Sequence, residues 1–253
     1  MKHSKIVFYS GLALLMGLPT VSLAEKALSP QEKQQFEKVI HDYIMEHPEV
    51  IRKSVMAEQE KQIKEMMSNA KKTAITEKNN LFSDMSPSAG AKEPKKMMVM
   101  FFDYQCGHCK NVSGAVEELV DANKDMKIIY KELPIFGAGS IILAKAALAS
   151  NKQGKYREFH QKLMASKDKM DEDKLMALAK EVGLDTEKLK KDMESSEIEN
   201  ELNANVELAK KLGLQGTPAF VISSYPNVTA EKLEFIPGAA SKEQLQTLIT
   251  KAN

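Results

Sequence analysis

Residues 97–109 read MMVMFFDYQCGHC. The first six are apolar and match the length of one strand, a pattern typical of a central strand covered on both faces. Two cysteines follow, and we expect Cys106 to begin a helix that runs to about Asn123. The sequence therefore predicts a buried strand that leads directly into a helix whose first turn carries a Cys-X-X-Cys motif.

The start of a helix is an environment that activates a cysteine. Unpaired backbone N–H groups and the positive end of the helix dipole stabilise a thiolate at Cys106. A charged His108 would add a second attraction, and Gly107 leaves the motif accessible to an extended partner chain. We therefore predict that Cys106 is an exposed attacking thiol and that Cys109, one helical turn deeper, is the resolving thiol.

The chain contains only these two cysteines. They would close a loop too small to restrain the unfolded chain much, so a stabilising disulfide is a poor explanation for them. A zinc site needs about four ligands, and His41, His47 and His160 show no ligand spacing. His41 and His47 are interpreted as surface residues of the first helix. Thiol–disulfide chemistry without cofactor or metal is the better explanation.

The N-terminus has the pattern of a secretory signal. Two lysines precede an apolar stretch from Ile6 to Leu18, and the small-x-small sequence at 22–24 suits signal peptidase. We predict that residues 1–24 are cleaved and that the remaining chain is exported to the periplasm. Cleavage would remove two lysines and change the formal charge from +1 to −1, a balance that favours neither nucleic-acid binding nor adsorption to a membrane.

Residues 25–80 are predicted to be a helical oligomerisation region. A capping box at 29–32 begins a helix that ends near residue 46, and a polar helix follows from about 48 to 78. The thin apolar stripe of this second helix consists of Ile51, Val55, Ile63, Met66, Ala70 and Ala74. Because the stripe is too narrow for a core, we expect a homodimer through residues 29–78. The pattern leaves a trimer open, and a solvated helix lying along its own domain is the alternative.

The rest of the chain predicts one larger domain of the α/β class. Residues 81–96 are rich in Ser, Pro, Gly, Ala and Lys, and are predicted to be a linker. The elements expected in the domain at 97–253 after its first strand and helix are a strand at 126–133, an all-helical insert at about 138–213, strands at 219–223 and 233–236, and a helix capped by Ser241.

Two motifs of this domain resemble the DsbA-like thioredoxin-fold family. The segment 101–109 resembles the family's active-site segment, and the segment 216–220, Gly-Thr-Pro-Ala-Phe, resembles the loop that faces it. The helical insert also fits, and the resemblance covers about 97–253. It implies a thioredoxin fold in which Pro218 is cis and the backbone of Thr217 pairs with a substrate strand.

The resemblance also implies a function. Proteins of this family introduce or isomerise disulfide bonds in unfolded or misfolded secreted proteins, and a membrane redox partner reoxidises or reduces them. Monomeric relatives tend to be oxidases, whereas relatives with an N-terminal oligomerisation region tend to be isomerases or of mixed activity. The balance between the two activities stays open here.

The sequence departs from the family at one position. Family members often carry a carboxylate six residues before the first cysteine, where it helps proton transfer to the buried sulfur. Met100 occupies this position here. Asp103 lies nearer to the motif and is a candidate substitute, the alternative being a solvated residue at the end of a strand.

Two functions of other classes would use the same cleft, the one expected between the Cys-X-X-Cys motif and the loop that faces it. Two thiolates can hold Cu(I), and 15 methionines would suit copper handling, although their dispersal along helices is more typical of core filling. A holdase chaperone would bind unfolded chains without redox turnover. The intact Cys-X-X-Cys motif favours the oxidoreductase over both.

Overall fold

A computed structural model describes residues 28–83, 85–167 and 170–252. The predicted signal peptide, residues 1–24, lies outside the described residues. The helices are α1 (Pro30–Glu46), α2 (Pro48–Thr76), α3 (Lys78–Leu81), α4 (Gly107–Ala122), α5 (Ala138–Asn151), α6 (Tyr156–Ala165), α7 (Glu172–Glu181), α8 (Thr186–Met193), α9 (Ser196–Lys211) and α10 (Lys242–Lys251). The strands are β1 (Ser88–Gly90), β2 (Lys96–Phe102), β3 (Met126–Glu132), β4 (Ala219–Ser224) and β5 (Leu233–Ile236).

The strands of the described residues form one mixed sheet in the order β1-β3-β2-β4-β5. β2 runs parallel to β3, and α4 provides the crossover that a parallel pair needs. The other pairings are antiparallel. At the centre of the sheet, Met100 lies opposite Tyr130 on one side and Phe220 on the other. β2 is therefore the central strand, as its apolar run predicted.

Every residue of β2 is buried, because each face of the strand has its own core. Met98, Met100 and Phe102 face the core that also contains both cysteines. Met97, Val99 and Phe101 face a second core, which includes residues from the ends of α2 and α9. The strand thus ends where the first of these cores meets the Cys-X-X-Cys motif.

Helices α5 to α9 occupy the chain between β3 and β4, which confirms the predicted helical insert. The last helix begins at the predicted capping box, in which the Gln244 N–H donates to Ser241 Oγ and the Ser241 N–H donates to Gln244 Oε1. The predicted thioredoxin fold with a helical insert is therefore confirmed. Among the described residues, no helix combines the length and the apolar character needed to cross a membrane.

The prediction that residues 81–96 form a linker is wrong. Residues Ser88–Gly90 pair with β3 as an edge strand, and Leu81 is fully buried. A Cβ atom at Gly90, where φ is +101°, would lie only 2.4 Å from the Met126 carbonyl oxygen, so the close approach of the two strands requires glycine. The small, turn-forming residues of this segment therefore build a short edge strand and its bends instead of a flexible connection.

The predicted boundary at residue 80 is also displaced. The chain divides into two compact units after Met56, within α2. In the larger unit, Ala70 and Ala74 of α2 are buried in the second core. The end of α2 is therefore part of the cysteine-containing domain, because its small side chains let the helix pack closely.

The described residues of the smaller unit form α1 and the start of α2. The predicted capping box is present, with the Glu32 N–H donating to Ser29 Oγ at 3.3 Å and the Ser29 N–H donating to Glu32 Oε2 at 2.8 Å. No residue of α1 is buried. The apolar residues of α1 keep large exposed fractions: Phe36 55%, Val39 65%, Ile40 56% and Tyr43 53%.

The packing of α2 generates a stability prediction. Replacing Ala74 by Asp places an unpaired carboxylate in the second core and should lower the free energy of unfolding by at least about 3 kcal/mol. The matched change Ala57→Asp lies at an exposed position of the same helix and should cost no more than about 0.5 kcal/mol. Urea denaturation of the two variants measures both values. Equal, small losses would mean that the end of α2 does not belong to the domain.

Candidate functional site

Cys106 and Cys109 lie at the start of α4, immediately after β2 and one short turn. Cys106 is the N-cap residue and has an extended backbone, whereas Cys109 lies in the first turn. The Cys106 N–H donates to the Asp103 carbonyl at 3.1 Å, which closes the turn that enters the helix. Both thiols are free. The sulfur of Cys106 therefore lies next to the unpaired N–H groups of the first helical turn.

The prediction that Cys106 is exposed is wrong for the residue as a whole, because only 3% of its surface is exposed. Cys106 lies against the loop before β4, where its thiol donates a hydrogen bond to the Thr217 carbonyl oxygen at 3.3 Å. The Thr217–Pro218 peptide bond is cis, as the resemblance implied, and Pro218 is buried. The structure thus brings together the two motifs, which are more than 100 residues apart in sequence.

Cys109 is fully buried, and this burial raises the pKa of its thiol to about 12. A hydrogen bond with the backbone of Asp103 and the nearby Thr217 hydroxyl act in the opposite direction, because they favour the thiolate. The Thr217 hydroxyl is buried and is otherwise without a hydrogen-bond partner among the described residues. Cys109 is therefore held as a neutral thiol at physiological pH.

Met100 is buried in the core that contains the two cysteines, and its side chain offers no proton acceptor. Asp103 is 1% exposed, so its interpretation as a solvated residue is wrong. Its carboxylate accepts hydrogen bonds from the N–H groups of Gln105 (2.7 Å), Ile135 (2.7 Å) and Phe136 (3.2 Å), and from the Ser140 hydroxyl (2.7 Å). These four donors occupy all of the acceptor sites that a carboxylate offers. Asp103 therefore acts as a structural anchor.

Asp103 holds an apolar surface beside the motif. Its hydrogen bonds tie the loop after β3 to the turn that precedes Cys106. A Cβ atom at Gly139, in the first turn of α5, would lie 2.5 Å from the Gln105 side chain, so the start of this helix packs closely against the turn. The loop and the start of α5 carry the apolar patch, whose residues are exposed by 39–55%: Ile135, Phe136, Ile141 and Ile142.

A buried polar network lies behind the motif, and it was not predicted from the sequence. The hydroxyl groups of Tyr104 and Tyr156 donate to Glu132 Oε1 at 3.0 Å and 2.7 Å, and the Tyr104 hydroxyl also lies 2.9 Å from His160 Nδ1. Burial raises the pKa of Glu132 well above its usual range and lowers the pKa of His160 to about 4, so the neutral forms are favoured. The network holds Tyr104, two residues before Cys106.

Little in the sequence indicates this network, because Glu132 ends a strand, MKIIYKE, that also contains two lysines. Its partners come from the turn after β2 and from α6, which no local pattern connects. Of the other residues considered, Gly107 and His108 are exposed at the mouth of the motif. His41 and His47 are exposed, as predicted. Within the described residues, no three His, Cys, Asp or Glu side chains form a group able to hold a metal ion.

Residues 97–250 match the family model described as DSBA-like thioredoxin domain. The chain belongs to the DsbA-like thioredoxin family. The proteins of this family are thiol–disulfide oxidoreductases. Residues 32–65, in α1 and α2, match a second model, described as Copper resistance protein ScsC N-terminal domain. The two matches correspond to the cysteine-containing domain and to the helical region that precedes it.

Solved structures agree with this assignment. A thioredoxin-like oxidoreductase from Silicibacter pomeroyi is 39% identical, with a TM-score of 0.62 over 69% of this chain and 96% of that chain. BcfH from Salmonella enterica Typhimurium is 29% identical, with a TM-score of 0.72 over 88% of this chain and 96% of that chain. The second similarity extends over the N-terminal helices as well.

Among curated relatives, Probable disulfide bond formation protein D from Bacillus cereus is 27% identical over 180 residues, which are 65% of this chain and 82% of that protein. Na(+)/H(+) antiporter NhaA 3 from Salinispora tropica is 24% identical over 136 residues, or 53% of this chain. The chain spans only 21% of the length of that antiporter. The similarity to the antiporter is therefore confined to a small part of that protein.

The different environments of the two thiols predict different reactivities. With a pKa of about 12, Cys109 has a thiolate fraction at pH 8 about 10³ times smaller than that of an ordinary cysteine. Iodoacetamide at pH 8 should therefore modify the reduced protein once, at Cys106. The variant Cys106→Ser should react at least about 100-fold more slowly than Cys109→Ser, as measured by intact-mass spectrometry. Similar rates for the two variants would show that Cys109 is not held as a thiol.

Proposed function

We propose that this protein is an exported oxidoreductase that introduces or isomerises disulfide bonds in secreted proteins through Cys106 and Cys109. The observation that carries the proposal is the position of Cys106, at the N-terminus of α4 and 3.3 Å from the Thr217 carbonyl oxygen. This position places the sulfur at the positive end of the helix dipole, next to a stretch of backbone with which a substrate strand would pair. Membership of the DsbA-like family supports the same chemistry.

In the oxidase direction, a substrate thiolate attacks the sulfur of Cys106 in the Cys106–Cys109 disulfide. A bond forms between substrate and Cys106, the disulfide breaks, and Cys109 leaves as a thiolate that takes up a proton. The second substrate thiolate then attacks the substrate sulfur of the mixed disulfide, and Cys106 leaves as a thiolate. Two electrons pass from substrate to protein, and the helix N-terminus stabilises the leaving group. A membrane redox partner would remove these electrons.

In the isomerase direction, the reduced protein begins the reaction. Cys106 attacks a wrong substrate disulfide and releases one substrate thiolate. That thiolate, or another in the substrate, attacks a different sulfur until Cys106 is released again, so no net electron transfer occurs. Cys109, held as a neutral thiol by its burial, resolves the mixed disulfide more slowly than an ordinary thiol would, which leaves time for the substrate to rearrange.

Substrate recognition is proposed to use backbone contacts and apolar contacts together. The chain at Thr217 and Pro218, next to Cys106, would pair with an extended substrate, as in other β-type peptide recognition. The apolar patch beside the motif suits the apolar side chains that an unfolded or misfolded protein exposes. Gly107 and His108 form the exposed edge past which such a chain reaches Cys106. A charged His108 would stabilise the Cys106 thiolate further.

The substrates proposed here are secreted proteins, because residues 1–24 have the pattern of a cleaved signal and would direct the chain to the periplasm. Copper binding is a second candidate function. The match of residues 32–65 to the ScsC N-terminal model favours it, and the two adjacent thiols are soft ligands suited to Cu(I). A holdase role would rest on the apolar patch alone.

Self-association of residues 29–78 is proposed from the exposed side chains of α1. Phe36, Ile40 and Tyr43 repeat at helical spacing, and each is more than half exposed. An isolated helix with such an exposed apolar face has marginal stability in water. Packing against the same face of a second copy of the chain would bury these side chains. We expect a homodimer.

Mixed disulfides test the proposed function. In Cys109→Ala, Cys106 attacks a substrate disulfide, but the resolving thiol is missing, so release of the product depends on substrate thiolates alone. Incubation of the reduced variant with a scrambled-disulfide protein, followed by an acid and alkylating quench, should therefore accumulate a covalent complex at least about tenfold above the wild-type amount. Non-reducing gels and mass spectrometry measure the complex.

The control is Cys106→Ala, in which the buried Cys109 should form no complex. A chain that only binds copper or only holds unfolded proteins would trap no substrate in either variant. That outcome would reject the oxidoreductase proposal in favour of these alternatives.

The oligomer is tested at α1. Ile40→Glu places a charge in the exposed apolar face and should convert the wild-type dimer into a monomer at micromolar concentration, as measured by light scattering. Gln34→Glu adds the same charge at an exposed polar position of α1 and should leave the mass unchanged. A wild-type mass of one chain would contradict self-association, and a mass of three chains would correct its number.

A further inference from the structure

A cavity of about 570 Å³ opens between α3, β3 and α9, a volume within the range of small-molecule sites. Its wall includes Lys131 of β3 and Leu208 of α9. Lys131 alternates with Ile129 and Leu133, which belong to the second core, so it points to the sheet face opposite the cysteine-containing core. The cavity is therefore separate from the thiol site.

Lys131 is a buried cation on this wall, with only 4% of its surface exposed. Its ammonium group donates to the Ser86 hydroxyl at 2.7 Å. An ammonium has three donors, so donors remain for a further acceptor. Burial lowers the pKa of Lys131 to about 8, and the nearby Glu201 acts in the opposite direction, so the charged form persists at neutral pH.

Glu201 and Asn205 lie four residues apart on α9 and so present their side chains on one face of the helix. The Glu201 carboxylate shares the Ser86 hydroxyl with Lys131 as a hydrogen-bond partner. Its Oε1 atom and the Nδ2 atom of Asn205 are buried, and neither atom has a hydrogen-bond partner within the described residues. Asn205 is only 1% exposed. Because buried polar groups are normally satisfied, an unsatisfied acceptor and an unsatisfied donor on one cavity wall indicate a ligand that pairs with both.

We propose that this cavity binds a small zwitterion, namely a free α-amino acid or a short peptide. The N–H groups of Lys131 and Asn205 supply donors for a carboxylate, and Glu201 Oε1 supplies an acceptor for an ammonium group. A simple anion would meet the carboxylate of Glu201, and a simple cation would meet the ammonium of Lys131. A ligand that carries both charges matches both residues at once.

Calorimetric titration of the exported chain, with both thiols reduced, tests the proposal. The probes are L-amino acids and glycylglycine, with N-acetyl-L-alanine and L-alaninamide as forms of alanine that each lack one charge. At least one zwitterion should bind saturably with a Kd below about 1 mM. The two blocked forms should bind at least about tenfold more weakly than alanine. Absence of saturable binding across the probes, or equal binding of the blocked forms, would overturn the proposal.

Variants assign the binding to this cavity. Glu201→Gln keeps the shape and removes the charge, and it should weaken zwitterion binding at least about tenfold. Glu199→Gln makes the same change on the same helix outside the cavity and should leave the Kd unchanged. Lys131→Met should weaken binding as well, and circular dichroism verifies that it folds. If Lys131→Met does not fold, Glu201→Gln decides alone, and an unchanged Kd in that variant would refute the site.

The alkylation rate of Cys106 separates this inference from the proposed function. It should be the same in Glu201→Gln as in the wild type, because the cavity and the thiols lie on opposite faces of the sheet. A rate changed by more than about threefold would show that the two sites are coupled and would contradict a separate binding site.

Discussion

The central strand β2 must be covered on both faces, because all seven of its residues are buried. Side chains alternate along a strand, so this condition requires two separate cores, one on each side of the sheet. It also requires a neighbour on each edge, which β3 and β4 supply. The other helices and strands of the domain supply these two cores and two neighbouring strands. Helices cover each face, and the chain leaves the end of the strand where Cys106 begins α4.

Asp103 connects this architecture to the chemistry. A carboxylate at the end of the buried strand is expensive to desolvate, and four hydrogen bonds offset that cost. Three of these bonds reach the segment from Ile135 to Ser140, so the same interaction that satisfies Asp103 places the apolar patch beside the cysteines. One buried side chain thus orders the turn before the nucleophile and the surface beside it.

The parts of the fold that sequence reasoning predicted are those with local signals. Capping boxes at Ser29 and Ser241, the apolar run of β2 and the alternation of helices in the insert depend on residues close together in sequence. β1 was missed because its composition resembles a linker, and only the approach of Gly90 to Met126 makes it a strand. The network of Glu132 was missed because its partners come from distant segments.

The amino-acid sequence by itself determined the order of helices and strands of the domain, the position of Cys106 and Cys109 at a helix start, and the family. These properties rest on local patterns of apolar residues, caps and motif spacing. Only the tertiary structure decided that Cys106 is covered, that Asp103 is an anchor, and that Lys131 faces a cavity. Burial and hydrogen-bond satisfaction depend on which distant segments meet, and no local pattern of residues specifies that.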